Sequence, residues 1–105
     1  MPQDKSFLFD EKNRQTSLIA KVLSHPARLE IIDLLEERDF LIHKELDESI
    51  PLSTGSISQH LEKLLNVNII TKDEFSSVVG YRIDVAGWIS AKKCIQEYFS
   101  RIKIC

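Results

Sequence analysis

Ser53-Thr54-Gly55-Ser56-Ile57-Ser58-Gln59-His60-Leu61-Glu62-Lys63-Leu64 is the stretch whose reading decides the fold. Ile57, Leu61 and Leu64 recur at helical spacing, so one face of this segment is apolar and can anchor to a core. Ser53 stands just ahead of the run, where its hydroxyl can accept a hydrogen bond from a free backbone N–H of the first turn. The pattern predicts a helix over 54–66. At 3.6 residues per turn, Thr54, Gly55, Ser58, Gln59 and Glu62 lie largely away from the anchor. Upstream, Phe40 to Ser49 reads as a short helix anchored by Ile42 and Leu46, and Ile50-Pro51-Leu52 breaks it. A short helix, a tight break and a second capped helix form a helix-turn-helix, placed at about 42–66.

Outward from this unit, Ile69 to Glu74 reads as a strand, Phe75 to Gly80 as a loop and Tyr81 to Asp84 as a returning strand. The hairpin, about 69–84, is a wing on the helix-turn-helix. Asn68 tolerates the left-handed conformation on which helices often end. Pro26 suits the first turn of a helix in which Leu29, Ile32 and Leu35 face one way, with Ile31 and Leu34 beside them. Leu18, Ile19, Val22 and Leu23 mark an earlier helix at about 12–23. Ile89, Cys94, Ile95, Tyr98, Phe99 and Ile102 mark a last one at about 86–103. The expected fold is mostly α with one β-hairpin (α+β), in the order α-α-α-α-β-β-α, as one winged helix-turn-helix domain over 1–105.

Composition narrows the function. A chain of 105 residues suits one domain with its own core. With 14 basic and 16 acidic residues the net charge is -2, which excludes a polycationic coat for nucleic acid but not a local DNA-binding patch. No run approaches the roughly 20 apolar residues of a membrane span. The N-terminal stretch lacks a secretory signal core, and two cysteines make no disulfide framework, so a reduced cytoplasmic protein is expected. There is no phosphate-cradling glycine loop, nucleophile elbow or chelating histidine pair, so neither an enzyme nor a cofactor is expected.

Several segments together resemble the ArsR-type winged helix-turn-helix repressors. Ser24-His25-Pro26-Ala27-Arg28-Leu29-Glu30-Ile31-Ile32-Asp33-Leu34-Leu35 is similar to the family's helix opening, and Ser53 to Leu64 to its recognition helix. Asn66-Val67-Asn68-Ile69-Ile70 resembles the link into the wing, with Asn68 where the family favours glycine, and Gly80-Tyr81-Arg82-Ile83 resembles the second wing strand. The resemblance implies a homodimer built on the first and last helices. It also implies recognition helices in the major grooves of a two-half-site operator, and repression relieved by a signal, often a metal. The short third helix, however, carries no cysteine in Leu41-Ile42-His43-Lys44-Glu45-Leu46, and no histidine follows His60, so no metal site is expected.

The candidate DNA-binding residues are Ser53, Thr54, Gly55, Ser56, Ser58, Gln59 and Lys63 on the recognition segment, with Lys72 and Arg82 on the wing. Gln59 can pair bidentately with adenine, Ser58 and Thr54 can bond bases or phosphates, and Lys63, Lys72 and Arg82 can hold phosphates. His60 and His25 are read as structural, and His43 as exposed. The candidate dimer interface is Leu18, Ile19, Trp88, Ile95, Tyr98, Phe99 and Ile102. Cys94 is read as a packing thiol; a sulfur-based signal shared with Cys105 is the alternative. The positive excess lies on residues 85–105, with four basic and one acidic group, whereas 41–70 carries two and four. DNA binding would therefore use few phosphate ion pairs. A second reading, from another class, is a winged-helix module that binds protein instead of DNA.

Overall fold

The structure is a computed structural model that describes residues 5–104. A 3-10 turn (Ser6–Leu8) leads into α1 (Glu11–Val22), α2 (Pro26–Arg38), α3 (His43–Ser49) and α4 (Thr54–Asn66). β1 (Ile70–Phe75), β2 (Val78–Ile83) and α5 (Val85–Ser100) follow, which is the expected order.

Each helix start has a local cause. Asp10 accepts from the Lys12 N–H at 2.8 Å ahead of α1, and Ser53 accepts from the Ser56 N–H at 3.2 Å ahead of α4. Asp84 accepts from the Gly87 N–H at 2.9 Å ahead of α5. At α2 the cap is an imidazole: His25 Nδ1 accepts from the Ala27 N–H at 3.1 Å, with Pro26 in the first helical position. At α3 the Glu45 carboxylate reaches back to the Ile42 N–H at 3.0 Å. Asp39, with φ 67°, follows α2, and Asn68, with φ 59°, follows α4 in the left-handed region.

The core is gathered from the middle of the chain. Ile31, Leu35, Leu41, Leu46, Ile57, Leu61, Leu64, Ile69 and Ile70 are fully buried. Each such side chain stabilises the fold by about 1.5–3 kcal/mol relative to exposure. By contrast, α1 contributes only Val22 to the buried cluster and α5 only Ala91.

Several expectations are corrected. The short helix begins at His43, because Phe40 and Leu41 serve the wing instead. Leu41 pairs with Tyr81 through two backbone hydrogen bonds of 3.1 and 2.9 Å, a one-residue third strand. The Phe40 ring lies beside Phe75, with ring centroids 6.1 Å apart, and under the Arg82 guanidinium at 5.2 Å. Gly80 makes room for it: a Cβ there would stand 2.4 Å from the Phe40 ring and 2.8 Å from the Leu41 carbonyl oxygen. The expected loop over 75–80 shrinks to a two-residue turn, Ser76-Ser77, with φ of 52° and 66°. That geometry suits hairpin twist but is usually signalled by Asn-Gly, which is absent here. Leu29 is exposed, because the Ala27–Ile31–Leu35 row, not Leu29, faces the core. The last helix ends at Ser100.

Gly87 is where α5 crosses the end of the α4 link. A Cβ there would lie 1.7 Å from the Asn68 carbonyl oxygen, a backbone atom that cannot swing aside. At Gly55 a Cβ would meet nothing within 4 Å. Gly87→Ala should therefore lose at least about 2 kcal/mol in urea unfolding. Gly55→Ala should be neutral or gain up to about 1 kcal/mol. Equal effects at the two sites would contradict this packing.

Candidate nucleic-acid interface

The interface is built on the rotation of α4. Ile57 and Leu64 have no exposed surface and Leu61 is 2% exposed, so the helix can turn about its axis very little. Thr54, Gly55, Ser58, Gln59 and Glu62 are all exposed, as the spacing predicts, and so is Lys63; Ser56 is half-buried and Ser53 exposed. The first turn of α4 also offers free N–H groups and the positive end of the helix dipole.

Two residues of α3 reach across to this face. His43 Nε2 is 2.9 Å from Ser58 Oγ, and His43 Nδ1 is 3.2 Å from Asp47 Oδ2. The Thr54 hydroxyl donates to the same Asp47 Oδ2. The other carboxylate oxygen, Asp47 Oδ1, is buried without a partner. His43, expected to be exposed, is thus half-buried and bonded to Ser58, one of the candidate residues, and the sequence assigns Asp47 no role. The signal available was their i, i+4 spacing, which puts both on one side of a short helix beside a hydroxyl-rich neighbour.

A second polar joint fixes α4 to the start of α2. Arg28 Nε donates to His60 Nδ1 at 3.1 Å, and a second Arg28 nitrogen donates to the Val22 carbonyl at 3.1 Å. The His25 and His60 rings lie 4.3 Å apart. His60 therefore has the packing role expected of it, and it is held below the usual histidine pKa of 6.5 by burial first, then by His25 and Arg28.

The wing contributes less charge than its sequence promises. Lys72 is exposed on β1. Arg82 pairs with Asp73 Oδ2 at 2.6 Å and lies over Phe40, so it is engaged within the hairpin. The turn itself is Ser76-Ser77, and Phe75 and Val79 beside it are exposed.

Of the candidate dimer residues, Leu18, Trp88, Tyr98, Phe99 and Ile102 are exposed; Leu18 is at 54% and Phe99 at 71%. Ile19 and Ile95 are half-buried in a groove with Leu23, Ile69 and Trp88 between α1 and α5. Cys94 bridges the same two helices, its Sγ 3.1 Å from the Thr16 hydroxyl. Cys105 lies outside the described residues. Among the described residues no group of three or more His, Cys, Asp or Glu could hold a metal ion, and no helix is long and apolar enough to cross a membrane.

Residues 25–72, from α2 through the first half of β1, match the profile of bacterial regulatory proteins of the arsR family. An uncharacterized HTH-type transcriptional regulator from Mycobacterium tuberculosis is 32% identical over 84 residues, covering 76% of this chain and 74% of that protein. The chain belongs to the arsR family. It is a regulatory protein of that family, not an enzyme. The fold agrees. An ArsR-like transcriptional regulator from Rhodococcus sp. RHA1 superimposes with a TM-score of 0.74, at 17% identity, over 88% of this chain and 86% of that one. HlyU from Vibrio cholerae does so with a TM-score of 0.65, at 21% identity, over 86% and 94%.

His60 gives this arsR-family chain a pH-dependent joint. Its folded-state pKa is depressed, so the unfolded chain binds the extra proton more readily. The stabilisation is complete above the usual histidine pKa and is lost as pH falls below it. Tm should drop between about pH 7.5 and pH 5.5, and His60→Gln should flatten that drop. Parallel Tm profiles for the two proteins would remove His60 from the explanation.

Proposed function

We propose that this arsR-family protein is a sequence-specific transcriptional repressor of the cytoplasm that binds a double-stranded DNA operator as a homodimer and lacks a metal site. The observation that carries the DNA reading is the α4 surface. Three buried anchors hold it still while an exposed row of Thr54, Gly55, Ser58 and Gln59 faces outward. Gly55 strengthens it: nothing inside the protein occupies the space beside it, so the lack of a side chain lets an external surface approach the helix closely. Ser53 and Ser56 stand at the capped end, where N–H groups favour phosphate. Lys63 and Lys72 are exposed cations for the backbone of the duplex, and Arg82 joins them only by leaving Asp73.

The dimer reading rests on α1 and α5, which leave Leu18, Trp88, Tyr98 and Phe99 exposed outside a core that is already closed, and on Ile102, exposed just past the end of α5. A two-fold pairing through these helices would bury them and set two copies of α4 a fixed distance apart. One observation favours the alternative of a protein-binding winged helix. The wing presents exposed Phe75, Val78 and Val79 and no cation at its turn.

Polarisation titrations against DNA from upstream of the protein's own coding region, at several salt concentrations, separate the two readings. A repressor gives a negative but shallow salt slope, and absence of binding at low salt favours the protein-binding module. Gln59→Ala should relax preference at one base pair, at a cost of about 1–3 kcal/mol. Lys63→Ala should weaken all sequences alike and reduce the slope by about one. Gly55→Ala should bind less tightly while keeping its fold.

Sedimentation at micromolar concentration should give a dimer. Phe99→Glu, placed on the exposed stripe of α5, should shift it to monomer and weaken operator binding. A wild-type monomer under these conditions would count against the interface.

A further inference from the structure

The relay from Asp47 through His43 to Ser58, together with the Thr54 hydroxyl on the same carboxylate, constrains which way protons point on the recognition face. A carboxylate only accepts, so the His43 nitrogen beside it, Nδ1, carries the ring proton. In the neutral ring Nε2 is then a bare acceptor, and the Ser58 hydroxyl must spend its proton there, at 2.9 Å. The Thr54 hydroxyl spends its proton on Asp47. Ser53 spends its own on Ser56 Oγ, at 3.0 Å. Of the hydroxyls at the start of α4, Thr54 and Ser58 are left with only lone pairs to offer outward.

We propose that His43 and Asp47 set the hydrogen-bond polarity of the recognition helix, making Thr54 and Ser58 acceptors that read exocyclic amino groups in the major groove. Those groups are adenine N6 and cytosine N4, the donors exposed on that side of a base pair. Phosphate oxygens, guanine N7 and O6 and thymine O4 are all acceptors, and they meet lone pairs rather than a proton. Ser58 and Thr54 thus act as base readers and not as phosphate ligands, and His43 and Asp47 are positioning residues that act through them. The inference rests on the proposed DNA binding through α4 and deepens it, by naming the base chemistry that α4 selects.

The test uses the full chain at about pH 8. Binding sites are selected from a random duplex pool. Each adenine of the selected site is then replaced by purine, and each cytosine by its analogue lacking the 4-amino group. Ser58→Ala and Thr54→Val identify the base pairs these residues read. At those positions, deleting the amino group should weaken wild-type binding about 3- to 10-fold, the range of a single net hydrogen bond. His43→Ala frees the Ser58 proton and Asp47→Ala the Thr54 proton, so at the base pair read by the freed hydroxyl the penalty should fall towards one-fold and guanine or thymine should become acceptable. His43→Gln keeps an acceptor for Ser58 and should retain the wild-type preference, which separates lost polarity from a damaged fold. If wild type binds but selects guanine or thymine at these positions, the proposal is wrong while DNA binding stands. The same holds if His43→Ala, folded by circular dichroism, keeps the full penalty at the position read by Ser58. If no duplex binds at any salt, both the proposal and the reading beneath it fall.

Discussion

The anchoring of α4 by Ile57, Leu61 and Leu64 is the constraint from which the rest follows. These side chains, buried with Ile31, Leu35, Leu46 and Ile69, fix the rotation of one helix to within the play of a packed core. That rotation decides which residues face outward. The anchoring is reinforced by polar joints on both sides. On one side Arg28 and His25 hold His60; on the other His43 and Asp47 hold Ser58 and Thr54. Apolar burial sets the angle, and the hydrogen bonds limit what the exposed side chains can do once the angle is set.

Much of this is legible in the sequence, because the signals are periodic or local. Ser53 as a cap, Pro26 at a helix start, Asn68 in the left-handed region and the 57–61–64 stripe each depend on neighbours within a turn. What was not legible came from residues distant in sequence. Phe40 reads as helix by its neighbours, yet leaves the helix because its ring has a site on the wing beside Gly80, Phe75 and Arg82. The length of the hairpin was hidden because Ser76-Ser77 adopts a turn that sequence normally marks with Asn or Gly. His43 looked exposed because its partner Ser58 lies across the turn of the helix-turn-helix, fifteen positions away.

Charge placement sharpens the picture of the face. The net charge of -2 conceals a division between residues 41–70, with two basic and four acidic groups, and 85–105, with four and one. Asp47 is one of those four, and its carboxylate sits against Thr54, the first residue of α4. There it stabilises the helix through the dipole and at the same time occupies part of the positive potential that would otherwise attract a phosphate. The engagement of Arg82 by Asp73 removes a second cation from easy reach. Both arrangements point the same way, towards a surface in which directional hydrogen bonds outweigh ion pairs.

A surface of that kind places a demand on the terminal helices. With few ion pairs, one copy of α4 has little non-specific affinity to draw on, since counterion release scales with the phosphates neutralised. Two copies held rigidly can recover affinity, because once the first half-site is engaged the second binds as if at high local concentration. Rigidity requires a closed apolar interface, and α5 leaves Val85, Trp88, Ile89, Tyr98 and Phe99 outside the core, with Leu18 on α1. In the proposed dimer the exposed Leu18, Tyr98 and Phe99 and the hydroxyl-rich face of α4 would complement each other: the weaker the single electrostatic grip, the more binding would depend on pairing.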